Sequence, residues 1–304
     1  MPRTGGIKGN MKEQIFSNFL DPPEEPVYEK SKIVILPVPF DRTSTWIKGS
    51  DKGPDAIIQA SANIELYDIE TRSEIHKQGI FTEQPVISED AGKMVKEVHE
   101  KVSRLLTDGK FVVTLGGEHS VSIGAIGAHA EKFKDLSILH LDAHSDRRDS
   151  YQGNRYSHAC VMARAKEYVK NIVSVGVRSM DSSELASASK DAIFYAHEIH
   201  DSREWINKAV GKLSANVYVT IDVDVFDTGI MPSTGTPEPG GLGWYQVTRL
   251  LKAVAEKKNL AGFDVTELCP SPSNRSPDAL AAKLVATILN YKFQEIKFKN
   301  KINF

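Results

Sequence analysis

The run Ser137-Ile138-Leu139-His140-Leu141 is apolar enough to be a buried strand, and it leads into Asp142, His144 and Asp146, three potential metal ligands at alternate positions. Alternation is the period of a β-strand, so all three side chains point the same way while the strand lasts. A polar cluster at the carboxyl end of a buried strand is the arrangement of a parallel α/β sheet, whose sites form beyond those ends. Two carboxylates and an imidazole suit Mn²⁺, Zn²⁺, Fe²⁺ or Ni²⁺ better than Ca²⁺, which prefers an all-oxygen shell.

The rest of the chain repeats this grammar. Strands are expected at 32–38, 111–115, 172–177, 192–195, 216–221 and 260–263, where apolar runs are short and bounded by turn residues. Helical spacing of Ala91, Met94, Val95, Val98, Val102, Leu105 and Leu106 predicts a helix ended by Gly109. Pro54 suits the first turn of another, after a glycine-bearing loop read as a turn. Further helices are expected from about Val121, from Val161 through Val169, and over 245–257 and 276–290. Strands alternating with helices imply right-handed crossovers and one parallel sheet covered on both faces. No composition break splits the 304 residues, so they are read as a single domain, 1–304, with 1–30 as a proline-bearing surface arm.

Composition narrows the function by exclusion. Forty acidic against thirty-eight basic side chains give a net charge of −2, with no long like-charge block to attract nucleic acid or an anionic membrane. The expected partner is a small molecule. Two distant cysteines, Cys160 and Cys269, outside any CxxC pattern, point to a reducing compartment rather than a disulfide framework, and both are read as small buried hydrophobes. Met1 to Met11 lacks the apolar core of a signal peptide, and no apolar run nears the roughly 20 residues of a membrane helix. A cytoplasmic protein is the expectation.

Four expected strand ends carry chemistry: Gly116-Gly117-Glu118-His119-Ser120, Asp142/His144/Asp146, Asp222/Asp224, and Glu267. Six of these residues (His119, Asp142, His144, Asp146, Asp222 and Asp224) are suitable metal ligands. One ion rarely takes so many from a protein, whereas two ions about 3.5 Å apart with shared carboxylates do. The remaining histidines are read differently: His140 as a core group pointing away from Asp142's neighbours, and His76, His99 and His129 as surface groups.

The blocks Gly116–Ser120, Asp142-Ala143-His144-Ser145-Asp146 and Thr220-Ile221-Asp222-Val223-Asp224-Val225-Phe226-Asp227 resemble the three signature blocks of the ureohydrolases, the arginase and agmatinase family. The resemblance spans Gly53-Pro54 to Pro270. It implies a three-layer α/β/α sandwich with a single, mostly parallel eight-stranded sheet, and hydrolysis of a guanidino group to an amine plus urea by a metal-bridging hydroxide. It implies two divalent ions per chain, Mn²⁺ first with Ni²⁺, Fe²⁺ or Zn²⁺ open, and a homo-oligomer, trimer or hexamer. His119, Asp142, Asp146 and Asp222 would hold one ion, and His144, Asp142, Asp222 and Asp224 the other, with Asp142 and Asp222 bridging. Asp146 would also accept a hydrogen bond from the hydroxide, His158 would carry protons, and Glu267 would pair with the guanidinium. His158 precedes Ala159 where the family commonly has glycine.

Departures bear on the substrate. Arg148 stands where arginases have the asparagine that grips the amino-acid carboxylate, and Asp149–His158 and Met231–Gly241 are closer to the agmatinase branch. Thr228 and the run from Cys269 to Pro277 depart from both. Agmatine is therefore the expected substrate. A guanidino acid such as guanidinobutyrate, with Arg147 or Arg148 as counter-charge, or guanidine itself is the alternative, and arginine comes third. A metal-binding protein without turnover, or a deacetylase-like relative, is the reading from another class. Glu267 separates it, because a deacetylase has no use for a guanidinium-pairing carboxylate.

Overall fold

A computed structural model of the chain describes residues 17–294. Strand β1, Ile33–Val38, is buried throughout, and its alternation divides two cores: Ile33 and Ile35 enter one, while Val34, Leu36 and Val38 enter the other. The same division runs through β3 Phe111–Gly116, β4 Leu136–Leu141, β5 Asn171–Val175, β7 Asn216–Asp222 and β8 Asn259–Thr266, while the edge strands β2 Ile80–Thr82 and β6 Ala192–Phe194 contribute to the first core only. Helices α1 Gly53–Ser61, α7 Glu204–Lys212, α8 Trp244–Lys257 and α9 Ser276–Phe293 cover the first core. Helices α2 Ala91–Thr107, α3 Ser122–Lys132 and α4 Val161–Ala165 cover the second. The short α5 Leu185–Ala188 and α6 Ala196–Ile199 flank β6. The result is a three-layer α/β/α sandwich.

Every strand pairing is parallel, and the order is β2-β1-β3-β8-β7-β4-β5-β6. The four strands that lead to His119, Glu267, Asp222/Asp224 and Asp142 are thus β3, β8, β7 and β4, consecutive in the middle of the sheet. Register levels them. Leu141 pairs with Ile221, so Asp142 and Asp222 leave the sheet side by side, and Asp222 pairs with Thr266 just before Glu267.

Local signals explain the boundaries. The Asp90 carboxylate accepts from Lys93 N at 2.8 Å and caps α2, which ends before Gly109 at φ +75°. Several expectations change. Strand β2 is unexpected, because three residues are too few for a periodic signal, and helices α5, α6 and α7 are additions as well. Helix α4 ends at Ala165 rather than running to Val169, which is buried from the following turn. Of the expected surface arm, residues 1–16 lie outside the described residues. Phe19 and Leu20 are buried, their N–H groups donating to Thr82 Oγ1 at 3.0 Å and Ser61 Oγ at 2.8 Å.

That burial is testable. Phe19→Ala should lower stability by about 3–5 kcal/mol, the usual cost of emptying a buried phenylalanine site, as measured by denaturant unfolding. A change below about 1 kcal/mol, the scale of a surface substitution, would mean that the arm does not pack as described.

Candidate active site

The site is built where the central strands stop. Gly117 makes the first turn possible: a side chain there would place Cβ 2.1 Å from Phe40 O, so only glycine admits the close approach in which Gly117 N donates to Val38 O and Glu118 N to Phe40 O. This sets His119 over the end of β3. On the neighbouring ends, Asp146 (φ +54°) and Glu267 (φ +66°) are held in the left-handed region, a costly conformation for residues other than glycine. Both strained positions carry side chains into the same cavity, which is also lined by His119, His144, His158 and Asp222.

Asp142 is the hub. Its Oδ2 lies 3.1 Å from His119 Nδ1 and accepts from His140 Nε2 at 2.8 Å, while Oδ1 accepts from His144 N at 2.5 Å. His119 Nδ1 is also 3.0 Å from Asp146 Oδ2 and 3.8 Å from Asp222 Oδ2, and His144 Nδ1 is 2.9 Å from Asp224 Oδ2. Ligand atoms therefore fall into two groups, each within 4.8 Å: His119, His140, Asp142 and Asp146, and Asp142, His144 and Asp224. Asp142 belongs to both. Asp222 stands at the edge of the first group, with Oδ1 accepting from Asp224 N at 2.8 Å.

Behind His119 the sheet supplies a second polar layer. His119 Nε2 is 2.8 Å from Thr220 Oγ1, which donates to Asp264 Oδ1 at 2.8 Å, and Tyr218 OH donates to Asp264 Oδ2 at 2.8 Å. With Nε2 engaged there, Nδ1 is the nitrogen free to ligate. Glu267 is anchored by one oxygen: Oε1 accepts from His119 N at 2.7 Å. The His158 ring contacts the loop 41–49 through Thr43.

The electrostatics are those of a cation site. Burial alone lowers a histidine, yet Asp224 and Asp142 outweigh it and push His144 up to about 12. Burial, then the charge of Asp142, pushes Asp146 up to about 6. Burial followed by neighbouring carboxylates holds Asp222 and Glu267 well above the carboxylate range. Crowded carboxylates with too few partners bind protons instead. Asp224 Oδ2 is buried without an aligned hydrogen-bond donor. Mixed carboxylate and imidazole donors, negative in excess, fit divalent transition ions. His158 differs: burial and then the positive His144 and His119 bring it down to about 4, so its ring is neutral at pH 7.

Some expectations are corrected. His140 shares a face with Asp142, since positions two apart in a strand point alike; it is buried, bonded to Asp142 and stacked on His119 at 5.6 Å. His129 is fully buried against Tyr218, not on the surface. Arg147 is turned inward, donating to Ser145 O, Ser174 Oγ and Asp191, and is no counter-charge for a substrate. Arg148 does line the cavity, over the Tyr151 ring and 3.6 Å from Asp181. Cys160 is buried, which pushes its thiol up to about 11, while Cys269 is half-buried. Tyr151 and Thr236, from the two segments closer to the agmatinase branch, also line the cavity, with Thr45, Ser179, Asp181 and Glu184, which the sequence reading does not single out.

Because cations bind only the deprotonated ligands, each ion must displace protons held by the raised groups, so affinity should rise with pH. Calorimetric titration of the metal-free protein with Mn²⁺ should show proton release and weaker binding at pH 5.5 than at pH 8. Binding that is independent of pH would contradict the charge excess.

Residues 31–290 match the Arginase family model. An N(1)-aminopropylagmatine ureohydrolase of Synechocystis sp. is 34% identical over 286 residues, covering 90% of this chain and 93% of its own. An agmatinase of Pyrococcus horikoshii is 37% identical over 260 residues, 84% and 90% of the two chains. Among solved structures, the agmatine ureohydrolase of Thermoplasma volcanium aligns with a TM-score of 0.83 at 34% identity, over 91% of this chain and 95% of that one. With eight parallel strands in this order and four adjacent strand ends bearing carboxylates and imidazoles, the chain belongs to the arginase family of metal-dependent amidinohydrolases.

Proposed function

We propose that the chain hydrolyses the guanidino group of an agmatine-type amine, releasing the amine and urea. The observation that carries the reading is Glu267: its Oε1 is fixed by His119 N, which leaves Oε2 to pair with a cation in the cavity beside the ligand cluster. Relatives named for agmatine and for N(1)-aminopropylagmatine support an amine tail rather than an amino acid.

His119, Asp142, Asp146 and Asp222 would hold one ion and His144, Asp142, Asp222 and Asp224 the other, with Mn²⁺ proposed for both. When bound, the pair supplies the Lewis acidity that makes water a usable nucleophile near neutral pH. Glu267 holds the planar guanidinium against attack from the cluster side, a geometry that a carboxylate fits. Asp146 accepts a hydrogen bond from the attacking water. As the carbon becomes tetrahedral, the neutral ring of His158 takes up a proton and delivers it to the leaving amine nitrogen. Arg148 favours a guanidino acid as the second reading, since its charge reaches the cavity wall. A homo-oligomer, trimeric or hexameric, in the cytoplasm completes the proposal. Among the described residues no helix is long and apolar enough to cross a membrane.

Urea release from agmatine, N(1)-aminopropylagmatine, guanidinobutyrate and arginine should give the highest kcat/KM with one of the two amines, and a clear preference for arginine would overturn the tail assignment. Glu267→Gln should cost about 2–5 kcal/mol of transition-state stabilisation, the loss expected from truncating a buried charge pair, with metal content unchanged. Activity near wild type on all four compounds would mean that no guanidinium is held there.

A further inference from the structure

Glu118 is fully buried, one residue before His119, and its hydrogen-bond partners are Thr43, Ser44 and Ser120 rather than the ligand cluster. Its Oε1 accepts from Thr43 Oγ1 at 2.5 Å and from Ser120 Oγ at 2.6 Å, and its Oε2 accepts the N–H groups of Thr43 at 2.6 Å and Ser44 at 2.9 Å. Burial pushes this carboxyl up, and the donors of Ser120, Thr43 and Ser44 oppose it by stabilising the ionised form, which is an acceptor only. The single hydroxyl hydrogen of Thr43 is therefore committed to Glu118. What remains on Thr43 Oγ1 is a pair of acceptor sites. One takes the His158 N–H at 2.9 Å, and the other faces His158 Nδ1 at 3.2 Å.

This fixes the ring by elimination. A bare Nδ1 would set a nitrogen lone pair against the lone pair of Thr43 Oγ1, whereas a protonated Nδ1 donates to it. Ser157 Oγ, at 3.3 Å from Nδ1, is the competing partner. Its oxygen already accepts from Ala159 N at 3.4 Å, and with its second lone pair and its hydrogen uncommitted it accepts from a protonated Nδ1 or donates to a bare one, so it does not decide the tautomer by itself. Thr43 does decide it, because its hydrogen points elsewhere. Nε2 makes no hydrogen bond among the described residues, and the ring lines the cavity.

We propose that Glu118 and Thr43 are positioning residues that hold neutral His158 as the Nδ1–H tautomer, leaving the Nε2 lone pair as the group that receives the proton during guanidino hydrolysis. The catalytic part of this inference rests on the function proposed above, but the tautomer stands on the hydrogen bonds alone. During turnover one proton enters at Nε2 and the same proton leaves to the amine nitrogen, so the ring returns to its neutral form. While it is cationic, the buried charge of Glu118 stabilises it through Thr43. A triad in which a carboxylate orients a histidine directly works by the same logic; here a hydroxyl lies between them.

The test has two arms that fail separately. Ring ¹⁵N shifts of the metal-free, histidine-labelled protein at pH 7.5, with His158 assigned by the His158→Asn variant, should show a protonated Nδ1 and an unprotonated Nε2. The opposite tautomer in the wild-type protein would overturn the proposal whatever the substrate proves to be. In the kinetic arm, Thr43→Val should lower kcat by roughly 10²-fold or more, the lower end of a general acid–base contribution, with KM and metal content near wild type. Thr43→Ser, which keeps the hydroxyl, should restore most of it. Should Thr43→Val match the wild type in kcat while the shifts show Nδ1–H, the tautomer would stand and the assignment of proton transfer to Nε2 would fall.

Discussion

A carboxylate with no solvent exposure, Asp142, sits among three imidazoles at the centre of the sheet, and the rest of the site depends on its charge. Alone, a buried carboxylate would be expelled or protonated. Here it is retained because His140 and the His144 N–H hold it from the protein side, leaving its remaining lone pairs to serve two ligand groups at once. His140 is thus part of the scaffold beneath the ligand cluster. It is the kind of outer partner that fixes the orientation of a ligating group.

The fold turns that constraint into a site. A parallel sheet sends all its carboxyl ends to one side, and the order β3-β8-β7-β4 makes four of those ends neighbours. Helices on both faces exclude water from the strands, so polar side chains on the α3 face, Thr220, Asp264 and Tyr218, must satisfy one another. That network ends on His119. Rigidity reaches the ligands through bonded neighbours rather than through packing alone, and the two strained residues, Asp146 and Glu267, are held over the same cavity.

Much of this was legible from residue spacing. Asp142, His144 and Asp146 alternate at the end of an apolar run, and the period of a strand alone predicts that they converge. The adjacency of the four strand ends was not legible, because strand order depends on crossovers that leave no local mark. The same period of two places His140 beside Asp142, against the expectation that it points away from that residue's neighbours. Arg147 and Arg148 are adjacent in sequence and alike in chemistry, yet one is locked to Asp191 and Ser174 while the other reaches the cavity; only the turn after β4 separates them. Glu118 and Thr43 are separated by 75 positions, and no pattern within either segment announces the contact. The three-residue strand β2 is likewise too short to carry a period.

The claim on which the account turns is that Asp142 serves both cation groups. Equilibrium dialysis against Mn²⁺ followed by elemental analysis reads it directly, on the wild type, Asp142→Asn and Asp224→Asn, with folding checked by circular dichroism. Two ions per chain in the wild type, one in Asp224→Asn and none in Asp142→Asn is the predicted result. An Asp142→Asn protein that is folded and still holds two ions would contradict it.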